Sequence, residues 1–339
     1  LYRTAIDMSN LLDYLDWRGD LSFDASPFCD VDSLIICRLS YIPYDGVVSD
    51  SFSESINLGE AAEKVLSLLA ESGDGRTVRD EHDPDLLKKI IESPRFNNIR
   101  LTGYVNTVSP ENQKQFSAVT MIFPDGNLYV AFRGTDGTLV GWKEDFNMSF
   151  IDIVPAQSDA VKYIEQAAEA LNGTIRVGGH SKGGNLAVYA SAFCMGKVRE
   201  RITDIRNFDG PGFNENTIGS DEFLSVLPRV KTFLPQSSIV GMLLEHAEKF
   251  TVVFSTGSGI LQHDMYTWDV NKDGFMCVDQ LSDKSHFIDA TLKDWLAGMT
   301  IEQREKMIDG LYSIMVDSNI TTTQNLFSRK KYYQLLQNF

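Results

Sequence analysis

Positive charge is what this chain has least of. Its 339 residues carry 31 Lys and Arg against 47 Asp and Glu, a formal net charge of −16. That balance argues against nucleic acid and against anionic membrane surfaces, both of which attract basic patches. It leaves room for a lipid substrate, which an apolar mouth can take up without charge. Long apolar runs are missing as well. No stretch approaches the roughly 18 residues of a membrane span, and no basic-then-apolar signal segment follows Leu1, so no membrane span is expected. Cysteine is sparse and scattered, at Cys29, Cys37, Cys194 and Cys277. No spacing among the four suggests a metal knuckle, so they read as free thiols of a reducing cytoplasm, where the sequons at Asn147, Asn172 and Asn319 carry no meaning. Neither a metal nor another cofactor is expected.

What the chain does have is a strand, a tight turn and a helix written in one stretch, Thr174 to Ala192 (TIRVGGHSKGGNLAVYASA). The β-branched and apolar run Thr174, Ile175 and Val177 leads into Gly178 and Gly179. His180, Ser181, Lys182, Gly183 and Gly184 follow, and then Leu186, Ala187, Tyr189 and Ala190 form a stripe that can lie on a sheet. The turn spells Gly-x-Ser-x-Gly, a nucleophile elbow that holds a strained serine at the top of a parallel sheet. Glycine is needed where a side chain would strike the neighbouring strand or the incoming helix. A phosphate-binding loop fails on chemistry, because Lys182 is followed by Gly183 rather than by Ser or Thr.

The rest of the chain reads as α/β. Helices are expected over 30–44, 57–71, 84–91 and 157–171, and strands near 99, over 116–123, 127–132, 202–208, 230–234 and 250–255. Pro124-Asp125-Gly126 joins two of these strands as a hairpin. Residues 239–246 read as a short apolar helix and 257–264 as a glycine-rich loop. Beyond 287 the chain turns helical, over 287–299, from a Thr300 cap with Gln303 as its capping-box partner, and over 325–337. With no repeat or low-complexity linker, one domain is expected: a helical segment 1–98, a core 99–280 and carboxyl-terminal helices 281–339.

The stretch FRGTDGTLVGWKEDF, followed by the elbow GHSKGGNLAVYA, resembles the fungal and plant class 3 lipases. Together with DYLDWRGDLSF, VDSLIICRLSYIPYDGV, FDGPGF and LQHDMYTW, the chain is similar over nearly its full length to the Mbeg-like bacterial family, assigned to the α/β-hydrolases. The resemblance implies an α/β-hydrolase fold, with a mostly parallel central sheet flanked by helices and helical decorations at both ends. It also implies a carboxylic ester or thioester as substrate, from a small molecule or a lipid.

Serine, acid and histidine follow one another in that order in this fold. Downstream of Ser181 stand His246, His263 and His286. His263 lies in the loop after the last strand, where the catalytic histidine sits, while His246 reads as packed and His286 as a cap or surface residue. The acid is harder to place. The turn after 230–234 reads Pro235-Gln236-Ser237-Ser238, without a carboxylate, which departs from the lipase pattern. Asp209, at the end of the preceding strand, can substitute for it, or can be the turn residue of Asp209-Gly210-Pro211. Glu245 and Glu248 read as solvated and Asp264 as pointing elsewhere. The N–H groups of Lys182 and Thr135 are the candidate oxyanion donors, and Asp136, Trp142 and His180 are candidate substrate-binding residues. The Lys182 side chain stands where the lipases have leucine. It is either a solvated helix-start residue or a charged rim, paired with Asp145 or Asp209, that favours anionic substrates.

Three weaker motifs carry less. His82, among charged neighbours, reads as surface. The segment 269–274 imitates half a calcium loop, yet Cys277 and Gln280 stand where ligands belong, so it reads as a turn. The apolar segments 146–154 and 239–244 fit either a core or a cover over the cleft. The expectation is a serine hydrolase working through an acyl-enzyme. A non-catalytic scaffold of the same fold that binds a ligand or protein, and a peptidase or amidase, remain the alternatives.

Overall fold

The computed structural model describes residues 8–71, 77–109, 111, 114–135, 153–282 and 298–300, with scattered positions between 302 and 313. Eight strands form one sheet in chain order: β1 (Ile56–Asn57), β2 (Arg100–Ser109), β3 (Lys114–Ile122), β4 (Leu128–Phe132), β5 (Ile175–His180), β6 (Ile202–Phe208), β7 (Val230–Pro235) and β8 (Phe250–Val253). From β1 to β4 neighbours run antiparallel, and from β4 to β8 they run parallel. The turn at Pro124-Asp125-Gly126 makes the β3–β4 hairpin, with Gly126 at φ +83° and the Asp125 carboxylate accepting from the Asn127 N–H at 2.9 Å. Parallel strands need crossovers that cover both faces, and their interior runs are apolar throughout. β4 and β5 accordingly bury almost every residue, and so does the antiparallel β3 beside them.

One face is covered from the amino-terminal side by α1 (Leu11–Arg18), α2 (Asp30–Leu39), α3 (Leu58–Ala70) and α4 (Asp83–Glu92). Their buried side chains, such as Leu34, Ile35 and Leu87, join Val119, Tyr129, Phe208 and Trp268 in a single cluster. The other face is covered by α5 (Pro155–Ala170) and α6 (Lys182–Phe193), which pack with Phe132, Val177 and Ile205 in a second cluster. The sheet thus lies between two helical layers, and each apolar helix stripe has a partner.

Four local departures from the sequence reading have physical causes. α1 is capped by Asn10, whose side chain accepts from the Leu12 N–H at 2.8 Å while the Asp13 carboxylate accepts from the Asn10 N–H at 2.8 Å. This capping box lay in a stretch read only as acidic and aromatic. α2 stops at Leu39 rather than reaching residue 44. The N–H groups of Tyr41 and Ile42 turn to the carbonyls of Arg38 and Leu39, at 3.0 and 3.2 Å, tightening the last turn and swinging Tyr41 off the helix. The segment 239–246 is a single 3₁₀ turn, Val240–Met242, followed by Leu244 at φ +66°. Finally, 259–263 is a 3₁₀ turn inside the expected loop.

Other expectations hold. The half calcium loop is a turn between β9 (Val270–Asn271) and β10 (Gly274–Phe275). The Thr300–Gln303 capping box is formed in both directions. The helices expected over 287–299 and 325–337 lie wholly or almost wholly outside the described residues. Among the described residues, no helix is long and apolar enough to cross a membrane.

Candidate active site

β5 runs between β4 and β6 in the parallel half and ends at His180, so Ser181 sits at the carboxyl edge of the sheet, where α/β folds place their ligands. Ser181 has φ +60° and ψ −135°, a region that L side chains rarely adopt. A residue held there costs about 1–3 kcal/mol and persists only where its surroundings fix it. Two hydrogen bonds do so: the Ser181 N–H donates to the Phe208 carbonyl at 2.9 Å, and the Gly184 N–H to the Ser181 carbonyl at 2.8 Å. The flanking glycines are there for close approach. A Cβ on Gly179 would strike the Gly183 carbonyl, and one on Gly183 would strike the Phe132 carbonyl and the backbone of Arg133 and Gly134.

Asp209 follows β6 and has φ +50°. Only three non-glycine residues have positive φ among those described, and Ser181 and Asp209 are two of them. Asp209 is fully buried, so its carboxylate needs donors in place of water. Oδ1 accepts from the Ser238 hydroxyl and from the Gly241 N–H at 3.2 Å. Oδ2 lies 2.6 Å from His263 Nδ1. A carboxylate can only accept, so Nδ1 carries a proton, and the lone pair of the neutral ring belongs to Nε2 on the opposite side. The His263 side chain is 19% exposed against 1% for Asp209, so the imidazole is open to solvent and the acid is not.

The turn 235–238, where the lipase pattern would put a carboxylate, holds the histidine loop instead. Ser237 N–H donates to Gln262 Oε1 at 2.7 Å, Gln236 Oε1 accepts from the Ser255 N–H at 2.6 Å, and the Ser238 hydroxyl reaches Asp209. Fully buried Trp268 donates from its indole N–H to the Gln262 carbonyl at 2.9 Å. The 239–244 segment wraps the acid, because the Gly241 peptide is committed to it.

His180, expected to meet substrate, is 3% exposed and turned inward. Its ring lies tilted at 37° against that of His263, with centroids 4.4 Å apart. His180 Nε2 lies 2.7 Å from the His263 carbonyl, and Nδ1 lies 3.1 Å from the Tyr41 hydroxyl. Burial, reinforced by His263 and by Arg79, pushes its pKa well below the usual histidine value, so the ring is neutral. Lys182 does not form a rim. Its side chain is 1% exposed and its Nζ donates to the Gln115 carbonyl at 2.9 Å and to Gln115 Oε1 at 3.3 Å. Lys182 opens α6, and from that first position the aliphatic stem passes under the elbow towards β3, so the expected charged mouth for anionic substrates is absent at this residue. Thr135 is buried beside the elbow, its carbonyl taken by the Arg79 guanidinium. Asp136, Trp142, Asp145, residues 146–152 and His286 lie outside the described residues.

Of the remaining candidates, Glu248 is buried rather than solvated, and it pairs with His246 at 2.9 Å. Asp264 turns away to cap its own turn, accepting from the Tyr266 N–H at 3.0 Å. His82 is partly exposed, bonded to Asp80 and tilted against Tyr266. Tyr41, Ser238, Gly241 and Gln262 are the site residues that sequence reading missed. Tyr41 lies 139 positions from His180, inside a stretch, VDSLIICRLSYIPYDGV, that carries the family resemblance but gives no role to the phenol. Among the described residues, no cluster of three His, Cys, Asp or Glu could hold a metal ion.

A sheet whose parallel half carries a serine in a left-handed bend before a helix, with a carboxylate–imidazole pair from the next strand end and the last loop, is the α/β-hydrolase fold. The chain belongs to the Mbeg1-like family, whose profile matches residues 90–313. No curated protein matches it. Among solved structures it is similar to the Rhizomucor miehei lipase in its propeptide complex, at 14% identity and a TM-score of 0.37, over 57% of this chain and 65% of the lipase. It is also similar to M37 lipase, at 14% identity and a TM-score of 0.34, over 63% of this chain and 70% of that one. The chain therefore spans just under two thirds of the Rhizomucor protein's length.

Proposed function

We propose that the protein is a serine hydrolase that cleaves carboxylic esters or thioesters through an acyl-enzyme. The observation that carries this reading is the presence at one sheet edge of a serine at φ +60° and of a histidine whose Nδ1 is 2.6 Å from a buried carboxylate. His263 Nε2 takes the Ser181 hydroxyl proton as Oγ attacks the acyl carbon. Asp209 holds the resulting imidazolium through Nδ1–H. The oxyanion is assigned to the N–H groups of Lys182 and Thr135, and losing one such donor typically costs about 10²–10³ in kcat. His263 then returns the proton to the leaving alcohol or thiol. A water, deprotonated by the same nitrogen, releases the acid and restores Ser181.

The test is labelling of the purified protein with a fluorophosphonate probe, followed by turnover of esters of graded acyl length. Labelling that disappears in Ser181→Ala, with ester hydrolysis, supports the proposal. A wild-type protein that neither labels nor hydrolyses any ester is a scaffold instead. Hydrolysis of amides in preference to esters would replace the substrate class.

A further inference from the structure

The amino-terminal helices supply a side chain to the site that the elbow and the histidine loop both depend on. Tyr41 is swung off the end of α2 and is 4% exposed. Its hydroxyl accepts from the Gly134 N–H at 3.1 Å, one residue before Thr135. It also lies 3.1 Å from His180 Nδ1 and 3.2 Å from the His180 carbonyl. On the other side of that ring, Nε2 meets the carbonyl of His263 itself at 2.7 Å. A carbonyl only accepts, so Nε2 carries the proton and Nδ1 is an acceptor, and the single Tyr41 hydroxyl proton is shared between Nδ1 and the His180 carbonyl.

We propose that Tyr41 and His180 are positioning residues: a phenol–imidazole relay that fixes the base loop through the His263 carbonyl and the oxyanion turn through the Gly134 N–H. The relay rests on the hydrolase reading of the site, but the hydrogen bonds it requires exist whether or not Ser181 is a nucleophile. One hydroxyl proton sets the tautomer of His180, and that tautomer is the one able to hold His263. A histidine protonated on Nδ1 alone would turn a lone pair towards the His263 carbonyl and release the loop. The buried surroundings, with Arg79 stacked 4.6 Å over the Tyr41 ring, keep a second proton off His180. α2 and α4 brace the same loop a second time, where the Tyr266 hydroxyl donates to Asp83 Oδ1 at 3.0 Å and Asp83 is gripped by Arg38.

Two measurements test this independently. The chain has five histidines, so ¹⁵N-histidine labelling resolves the tautomer of each. The expected result is a His180 fixed as the Nε2–H form from pH 8 down to pH 5 in wild type, and mixed or titrating in Tyr41→Phe. A wild-type His180 that titrates near its ordinary value, or a Tyr41→Phe spectrum unchanged at His180, overturns the relay. The second is ester kinetics. Tyr41→Phe and His180→Leu are expected to lower kcat about tenfold or more with KM within about twofold. His180→Gln, whose amide N–H can replace Nε2–H, should recover most of what His180→Leu loses. Equal losses in His180→Leu and His180→Gln, or kcat unchanged in both Tyr41→Phe and His180→Leu, overturn the positioning role. An absence of labelling and turnover in wild type counts against the hydrolase reading alone, since the tautomer measurement stands without it.

Discussion

Replacing Asp209 by asparagine separates the charge and the proton pattern of the acid from its shape. The side chain is the same size, and the surrounding bonds dictate how the amide must sit. Oδ1 receives the Ser238 hydroxyl and the Gly241 N–H, two donors, so only the amide oxygen can occupy that position. The NH₂ group is thereby forced to the place of Oδ2, 2.6 Å from His263 Nδ1. A donor there requires Nδ1 to be the acceptor, which moves the imidazole proton to Nε2 and leaves that nitrogen no lone pair with which to take the proton of the proposed nucleophile. In a Ser-His-Asp site the equivalent wrong-tautomer substitution lowers kcat by about 10⁴, or about 5 kcal/mol at 1.36 kcal/mol per tenfold. Asp209→Asn is therefore expected to lose about four orders of magnitude in kcat for a chromogenic ester, with a parallel fall in the rate of fluorophosphonate labelling and little change in the circular dichroism spectrum. Asp209→Ala should lose comparable activity and also stability, because the Ser238 hydroxyl and the Gly241 N–H both lose the carboxylate they share, and the Gly241 N–H keeps only its 3.1 Å bond to Ser238 Oγ. Asp209→Asn retaining activity within tenfold of wild type would refute the argument. Asp209 would then be a turn residue, and the orientation of His263 would have another cause.

Two predictions concern the frame around the site. Arg95 and Asp32 form an ion pair with both side chains fully buried, joined by two hydrogen bonds of 2.7 and 2.6 Å. Asp32→Ala leaves the buried guanidinium with backbone carbonyls but no counter-charge and should cost about 3–5 kcal/mol in urea unfolding, whereas Lys88→Ala, which breaks a pair more than half exposed on each side, should cost less than about 1 kcal/mol. His246 presents Nδ1 to Glu248 and Nε2 to the Gly241 carbonyl, both acceptors, so its ring is an imidazolium. Burial opposes that charge, but the Glu248 bond and charge outweigh it and raise the pKa above 6.5. A raised folded-state value means the contribution is full below about pH 6.5 and is lost as pH rises through the folded value. The melting-temperature gap between wild type and His246→Gln should therefore narrow from pH 6 to pH 9, and a gap that widens would refute it. Glu248 acts in the opposite sense: burial opposes its charge, yet His246 and Thr232 lower its pKa below 4.5, and its contribution fades only as pH falls through that lowered value.

How far each part of this molecule could be read from its sequence depends on how far along the chain its cause lies. The elbow was legible because everything that strains Ser181 is packed into the glycines around it, and β6 and β7 were legible because parallel strands are written as short apolar runs. The Asp209–His263 pair could be named from strand order, but its alternatives could not be weighed, since the donors that hold Asp209 come from Ser238 and Gly241, within a turn and a segment that read as a missing acid and an apolar helix. The periodicity of 239–246 favoured a helix. It lost to a local demand, because the Gly241 N–H is spent on Asp209 and its carbonyl on His246, and neither bond is available to an i, i+4 ladder. Lys182 misled for a related reason. A lysine at a helix start is ordinarily solvated, yet here its stem is carried across the elbow to Gln115 by a strand order that the lysine itself does not encode. Tyr41 stands in a stretch that marks the family, yet nothing local there points to a role for its hydroxyl. A phenol 139 residues from the imidazole it contacts becomes meaningful only once α2 is laid against the sheet. A long amino-terminal segment with an apolar, helical pattern and no chemistry-bearing motif therefore carries two jobs at once. It covers one face of the sheet, and the tightened end of α2 delivers a hydroxyl to the turn and loop that face the candidate nucleophile.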